Sequence, residues 1–357
     1  MRARRISPSD LALLSPDELA GAVLLGGIRL PDRSLAKGTR LGPADAGELV
    51  RAAADGRLAE PVRLAWAEPG DLHENEAAER LALAIGGAGV ELRPPRQSRL
   101  DLLAKWPGVL HVRVGTLSRV NAIDPLEVFT LYHGQSVTAG RVVASVKVAP
   151  HLVPEEAVQR GVRIAREEGT LVEVRPYLPL EVGAIAAEAL GPDELARFEA
   201  GARAKVEALG SRFAGTTVVR DRDPDAAERG ARRALEEMVH GRGLPVVLVG
   251  GVSAGDPLAP FFAALDGVGG RVLRRGVPAH PGSMIWLARV GESRLLGLPS
   301  CGMFALATAA DLVLPRLLTG ELLEAADLAD MGHGGILSRE MRFRFPAYAR
   351  DLEAPDG

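Results

Sequence analysis

Val246-Val247-Leu248-Val249-Gly250-Gly251-Val252-Ser253-Ala254-Gly255-Asp256-Pro257 is the stretch on which the reading of this chain turns. Four consecutive apolar residues suit a strand buried on both faces, as in a parallel sheet. The glycines after it let a backbone approach a ligand closely. Asp256-Pro257 has the pattern of a helix N-cap followed by the first helical residue, and free N–H groups at a helix start suit an anion. The stretch therefore predicts a strand, an anion loop and a helix, with a carboxylate beside the bound charge. A strand-to-helix turn in any α/β protein also favours Gly, Ser and Asp, so the pattern alone does not assign a ligand. It is neither a G-x-G-x-x-G fingerprint nor a Walker A loop, since no lysine follows the glycines.

Outward from this loop the chain alternates regularly. Strand 182–187 precedes helix 192–209, strand 216–220 precedes helix 224–240, and strand 246–249 runs into the loop. Beyond it come a helix from Pro257 to about Leu265, a strand 271–277, the turn His280-Pro281-Gly282-Ser283, a segment 284–290, a strand 294–298 and a long apolar helix from about Gly302 to Leu318. Such alternation predicts βαβ units on a mainly parallel sheet, with ligands at the carboxyl ends of the strands. A second loop, Gly297-Leu298-Pro299-Ser300-Cys301-Gly302, also ends a strand and opens a helix. If the two strands are parallel neighbours, both loops open on one edge as a two-sided anion cradle.

Towards the amino terminus the pattern changes. The segment 43–54 reads as a helix, and Asp71-Leu72-His73-Glu74-Asn75-Glu76 leads into another, 77–85, with Asp71 as its expected cap. His73-Glu74 lacks the second histidine of H-E-x-x-H, position 77 being alanine, so capping is favoured over metal binding. Between 109 and 153 the residues read as a small antiparallel unit with turns at Gly134 and Gly140, and Pro154-Glu155-Glu156 opens a connecting helix ended by Gly169.

The 357 residues suffice for two or three domains, and 47% hydrophobic content is enough for substantial cores. With 43 basic and 46 acidic residues the net charge is −3, which gives no general attraction to nucleic acid or membrane. Four of the basic residues are lysines and the arginines are scattered, so no basic patch is predicted. A single cysteine, Cys301, excludes an internal disulfide framework and a multi-cysteine zinc site, and a cytoplasmic location is the expectation. Ser7-Pro8-Ser9-Asp10 follows the basic start where a signal peptide would have its apolar core, and no apolar run reaches the roughly 18–20 residues of a membrane helix.

Gly250-Gly251-Val252-Ser253-Ala254-Gly255-Asp256, then Pro281-Gly282-Ser283, then Gly297-Leu298-Pro299 before a helix, resemble in order and spacing the molybdopterin-binding domain of molybdenum cofactor biosynthesis proteins. The relatives are the MoeA-type molybdenumtransferases and the smaller MogA/MoaB-type fold. The 73–78, 117–122, 128–131, 297–303 and 332–335 segments extend the resemblance to a MoeA-like branch of molybdopterin-binding proteins. It implies a three-layer α/β domain of the MoaB/Mog type over 177–325, a smaller α+β, β-rich N-terminal region over 1–176, and a C-terminal tail over 326–357.

The resemblance further implies molybdopterin, or its adenylylated form, held by its phosphate at Gly250, Gly251, Val252, Ser253, Gly255, His280, Gly282, Ser283, Pro299, Ser300, Cys301 and Gly302. Asp256 is the implied catalytic and metal-binding acid, with Mg²⁺ and molybdate as reactants in a transferase. Partners would be a recipient molybdoenzyme and a second copy of the chain, with Arg119 and Asn121 as candidates to complete the partner copy's site. Three departures from the family pattern stand out. Val182-Gly183-Ala184-Ile185 runs on as Ala186-Ala187-Glu188-Ala189 in place of a Thr-Gly-Asp-Glu-like loop; His280-Pro281-Gly282-Ser283 replaces a Lys-Pro-Gly-Lys-like turn; and Ser300-Cys301-Gly302 replaces Gly-Asn-Pro. Two fixed positive charges are thereby lost, which favours a binding or insertion role over a Mg²⁺-dependent transferase. A nucleotide-processing hydrolase on the same fold is the third reading. His333 reads as a loop residue, 339–346 as an edge strand or partner contact, and 353–357 as a disordered end.

Overall fold

The computed structural model describes residues 1–30, 32–94, 99–304 and 307–350, without the side chains of Cys301 and Arg350. It divides into two compact units. The first comprises 1–105, 111–133 and 139–174; the second comprises 106–110, 134–138 and 175–357.

The second unit is built on a six-stranded sheet in the order Arg212–Val218, Glu181–Ala186, Val246–Gly250, Ser293–Leu298, Trp286–Val290, Arg271–Arg275. The first four strands are joined by parallel pairings and the last two by antiparallel ones. The sheet is therefore mixed, with three parallel pairings and two antiparallel ones. The difference lies at the 271–290 edge, where a short connection rather than a helix joins two strands, and such a connection can return the chain only antiparallel.

Strand alternation sends side chains to two separate cores. Val182, Ala184, Val246, Leu248 and Leu296 face one side with Phe198, Ala202 and Val206 of helix Pro192–Ala208 and with Val313 and Leu317 of helix Ala310–Leu317. Ile185, Val247, Val249 and Leu295 face the other, against Ala234 and Leu235 of helix Pro224–Leu235 and Phe261 and Leu265 of helix Pro260–Gly267. Every residue of Val246–Gly250 is buried, as a strand covered on both faces requires.

Three sequence expectations change here. The long helix from Gly302 to Leu318 is two pieces, Ser300–Met303 and Ala310–Leu317. The second begins where Asp311 accepts from the Thr308 N–H at 2.8 Å and the Thr308 hydroxyl accepts from the Ala310 N–H at 3.2 Å. Residues 326–350 are not a detached tail, since Leu328, Met331, Leu337, Phe345 and Ala349 belong to the first core. Nor does 339–346 add an edge strand: Arg339–Arg344 is a 3-10 helix, tethered where Gln135 donates to the Phe343 carbonyl at 2.8 Å. Asp311, 1% exposed, fastens the end of the chain by accepting from the Tyr348 hydroxyl at 3.0 Å while pairing with Lys205 at 2.9 Å. Burial and the Asp311 carboxylate push the Tyr348 phenol well above its usual range. The expected disorder of 353–357 lies outside the described residues.

In the first unit, antiparallel strands Arg2–Ile6, Val62–Trp66 and Val23–Leu24 pack on helix Pro43–Ala54 through Leu24, Leu49, Ala53 and Leu64. A second antiparallel sheet runs in the order Leu126–Thr130, Val142–Val148, Arg99–Ala104, Val90–Leu92. The connecting helix is Glu155–Glu167, with Gly169 at φ +92° just beyond it, as Pro154-Glu155-Glu156 predicts. Helix Glu74–Ile85 is capped by His73, whose ring accepts from the Asn75 N–H, and not by Asp71, which sits in strand Asp71–His73.

The burial of the chain end gives a stability prediction. Phe345→Ala should cost about 3–5 kcal/mol in urea unfolding of the full chain. A loss below about 1 kcal/mol would mean the 326–350 segment contributes little to the core.

Candidate active site

The site begins with one pairing. Val246–Gly250 and Ser293–Leu298 run parallel with Gly250 opposite Leu298, and the Gly251 N–H donates to the Leu298 carbonyl at 3.0 Å. The glycine loop and the 299–302 loop therefore leave the same edge from adjacent strands, as the sequence requires for a shared cradle. Strand Glu181–Ala186 flanks the other side, with the Ala187 N–H donating to the Gly250 carbonyl at 2.9 Å, so Glu188 arrives beside the loop.

Close approach explains the glycines. Gly251 has φ +86°, and a Cβ there would lie 2.7 Å from Glu188 Cγ. A Cβ on Gly250 would lie 2.5 Å from Met303 Cε, and one on Gly255 would lie 2.6 Å from Met284 Cε. The loop is then pinned from beneath: the Trp286 indole, fully buried, donates to the Val252 carbonyl at 2.9 Å, and the Ala254 N–H donates to the Met284 carbonyl at 3.1 Å. The N–H groups of Val252 and Ser253 reach no acceptor among the described residues. Beside them the Ser253 hydroxyl oxygen accepts from the Gly255 N–H at 3.2 Å, which leaves its proton available to a ligand.

Asp256 differs from its expected role. The following helix starts at Pro260 with Ala259 before it, so Asp256-Pro257 is not its cap. Instead Asp256 Oδ1 accepts from the Leu258 N–H at 3.0 Å, a turn that holds an exposed carboxylate at the loop's end. Local hydrogen bonding by aspartate competes with capping, and the sequence pattern cannot separate the two.

Pro299 is buried and precedes the four-residue helix Ser300–Met303; the Gly302 N–H donates back to the Pro299 carbonyl at 2.7 Å. Ser300, exposed, donates its hydroxyl proton to Glu188 Oε2 at 2.9 Å, linking the second loop to the carboxylate beside Gly251. Glu188 is the site residue that sequence reasoning passed over as part of a degenerate motif. Its signal was positional, just past the end of a strand neighbouring the glycine loop's strand. The implied ligand-holding role of Cys301 falls on a side chain outside the described set.

The 280–283 turn is joined to the glycine loop through Met284, but its own backbone serves other partners. The His280 N–H donates to the Gly335 carbonyl and the His280 carbonyl accepts from Leu337, both at 2.8 Å, so the glycine-rich 332–335 segment clasps the turn. Gly282, at φ +104°, has Ala309 N 2.7 Å from where a Cβ would be, and the Pro281 carbonyl accepts from that N–H at 2.9 Å. His280 is exposed with no side-chain partner among the described residues, and His333 is an exposed loop residue. Arg119 and Asn121 have local duties in the first unit: Arg119 pairs with Glu167, and both ends of the Asn121 amide bind the Val128 backbone at 2.7 and 2.8 Å.

Electrostatically the loop edge combines neutral donors with two carboxylates, Glu188 and Asp256. No cluster of three or more His, Cys, Asp or Glu among the described residues can hold a metal ion. A hard cation here would have to take part of its coordination from ligand oxygens and water, a mode suited to Mg²⁺.

No family model matches the chain, and no curated protein matches it. Among solved structures it is similar to the molybdopterin biosynthesis MoeA protein from Pyrococcus horikosii, at 13% identity over 70% of this chain and 79% of that one, with a TM-score of 0.29. It is also similar to the molybdopterin biosynthesis enzyme MoaB from Thermus thermophilus, at 20% identity over 40% of this chain and 98% of that one, TM-score 0.27. A third similarity is to MogA, at 14% identity over 38% of this chain and 90% of that one, TM-score 0.24. No helix among the described residues is long and apolar enough to cross a membrane.

The pinning of the loop is testable by itself. Trp286→Phe strands the Val252 carbonyl and should lower unfolding stability by about 1–3 kcal/mol. Unchanged stability would show that the indole bond does not hold the loop.

Proposed function

We propose that the second unit binds molybdopterin, or its adenylylated form, by the phosphate at the glycine loop, in the biosynthesis or insertion of the molybdenum cofactor. The observation that carries this reading is the pair of open N–H groups at Val252 and Ser253, on a loop whose glycines admit close approach. They stand within 250–256, which together with 281–283 and 297–299 resembles the molybdopterin-binding domain. Neutral amide donors and a hydroxyl can hold a phosphate without fixed cations. Binding at a loop with two nearby acids favours a ligand that brings its own hydrogen-bond donors or a divalent cation.

A second reading, a Mg²⁺-dependent molybdenumtransferase, is favoured by Glu188. With Asp256 it offers two hard oxygen donors, while the exposed Asp256 keeps Oδ2 free of any hydrogen bond among the described residues. In that reading Asp256 would be the acid that holds the cation, which would supply charge neutralisation for the transfer. A cytoplasmic site of action and a homodimer belong to the same proposal.

Anaerobic equilibrium binding of molybdopterin to the full chain tests the first reading. Ser253→Ala should weaken binding about tenfold, and Gly251→Val should weaken it further, with folding checked by circular dichroism. Wild-type affinity in both variants would place the ligand elsewhere. For the second reading, adenylylated molybdopterin with molybdate and Mg²⁺ should release its nucleotide, and Asp256→Asn should abolish release. Tight binding without release in the wild-type protein would leave binding alone.

A further inference from the structure

The arginines are scattered in sequence, but the mixed sheet of the second unit sets three of them side by side. Arg294 stands directly opposite Arg289, and Arg289 directly opposite Arg271, in the two antiparallel pairings. Strand alternation puts all three on the face that carries Val246 and Leu296, because the next row, Val272, Ala288 and Leu295, faces the other core. Directly opposed side chains have Cβ atoms about 5 Å apart, and like charges there repel. Arg294 also pairs with Val246, at the start of the strand that ends in Gly250. The row therefore lies roughly 13 Å along that strand from the glycine loop, at the other edge of the sheet.

Arg294 is only 6% exposed, and its Nε and Nη1 are shut from solvent with no acceptor. A guanidinium carries donors alone, and a buried charge without a partner is strongly destabilising. Its neighbour Arg289 is exposed and makes no side-chain hydrogen bond or ion pair among the described residues.

The acids close to this edge do not fill the gap. The 321–327 segment crosses it, held where Arg274 donates to the Ala325 carbonyl at 3.0 Å. On that segment Glu321 is spent on the buried Arg316, accepting from Nε and Nη2 at 2.9 and 2.7 Å, and Asp327 accepts from the Glu324 N–H at 2.8 Å. Glu324 faces Arg271 at 3.9 Å. Glu292, in the turn before Ser293, is exposed and pairs with neither Arg289 nor Arg294 among the described residues. Three arginines against Glu324 and Glu292 leave one positive charge over, and the buried guanidinium is the one without an acceptor. Oxygen acceptors bearing negative charge match both needs, since two guanidinium forks can grip one oxyanion from adjacent strands.

We propose that this edge of the second unit is an oxyanion site separate from the glycine loop, holding one carboxylate or phosphate group of a small molecule between Arg294 and Arg289. The test follows the Nε–H signals of these two arginines in ¹H–¹⁵N spectra of the full chain, assigned through their backbone resonances. Inorganic phosphate or acetate is added in exchange for chloride at constant ionic strength. Both signals should move saturably; tighter binding of phosphate assigns a phosphate-bearing ligand, and equal or tighter binding of acetate a carboxylate. Arg289→Ala, altered at an exposed position, should weaken the response at Arg294 about tenfold, while Ser253→Ala should leave it unchanged. No saturable movement with either anion, unchanged affinity in Arg289→Ala, or loss of the response in Ser253→Ala would overturn the site. Because the signal is read at the arginines, success or failure of binding at the glycine loop does not decide the outcome.

Discussion

The parallel pairing of Val246–Gly250 with Ser293–Leu298 is the constraint from which the second unit's site follows. Its register places Gly250 opposite Leu298, so both strands end together and both loops start from one edge. The Gly251 N–H is spent on that register through Leu298, while the next two amides are left open. Strand Glu181–Ala186, pairing on the other side, then delivers Glu188 against Gly251. A one-residue slip in either pairing would exchange side chains between the two cores and separate these groups. The same close contact makes glycine at 251 a requirement of both backbone angle and space.

The resulting edge is unusual in its charge. Its donors are amides and hydroxyls, and beside them stand two acids, Glu188 and Asp256, the first bonded by Ser300. The turn at 280–283, where the family resemblance would place lysines, carries a histidine whose backbone is occupied by the 335–337 segment. The end of the chain thus performs a structural duty at this turn, and Asp311, Lys205 and Tyr348 fix it again farther along.

Much of this was legible in the sequence, and the misses share a cause. Continuous apolar runs such as 246–249 announced buried strands, and Pro154-Glu155-Glu156 with Gly169 bounded a helix correctly, because those signals are local. Asp256-Pro257 misled because aspartate caps a helix and closes a turn by the same kind of bond. Asp71 and His73 compete similarly, and the choice rests on which side chain meets the Asn75 N–H. The antiparallel edge and the burial of Phe345 depend on partners far away in the chain, which periodicity cannot reveal. Glu188 was hidden because its importance comes from a neighbouring strand rather than from its own surroundings in sequence.

The central claim is that the open amides of Val252 and Ser253 receive the ligand's phosphate. Two-dimensional ¹H–¹⁵N spectra of the full chain, recorded anaerobically as molybdopterin is added, read those amides directly. The account predicts saturable downfield movement of both resonances, with Gly251 little changed because its N–H is already engaged by Leu298. Saturable binding that leaves the Val252 and Ser253 amides unmoved would contradict it.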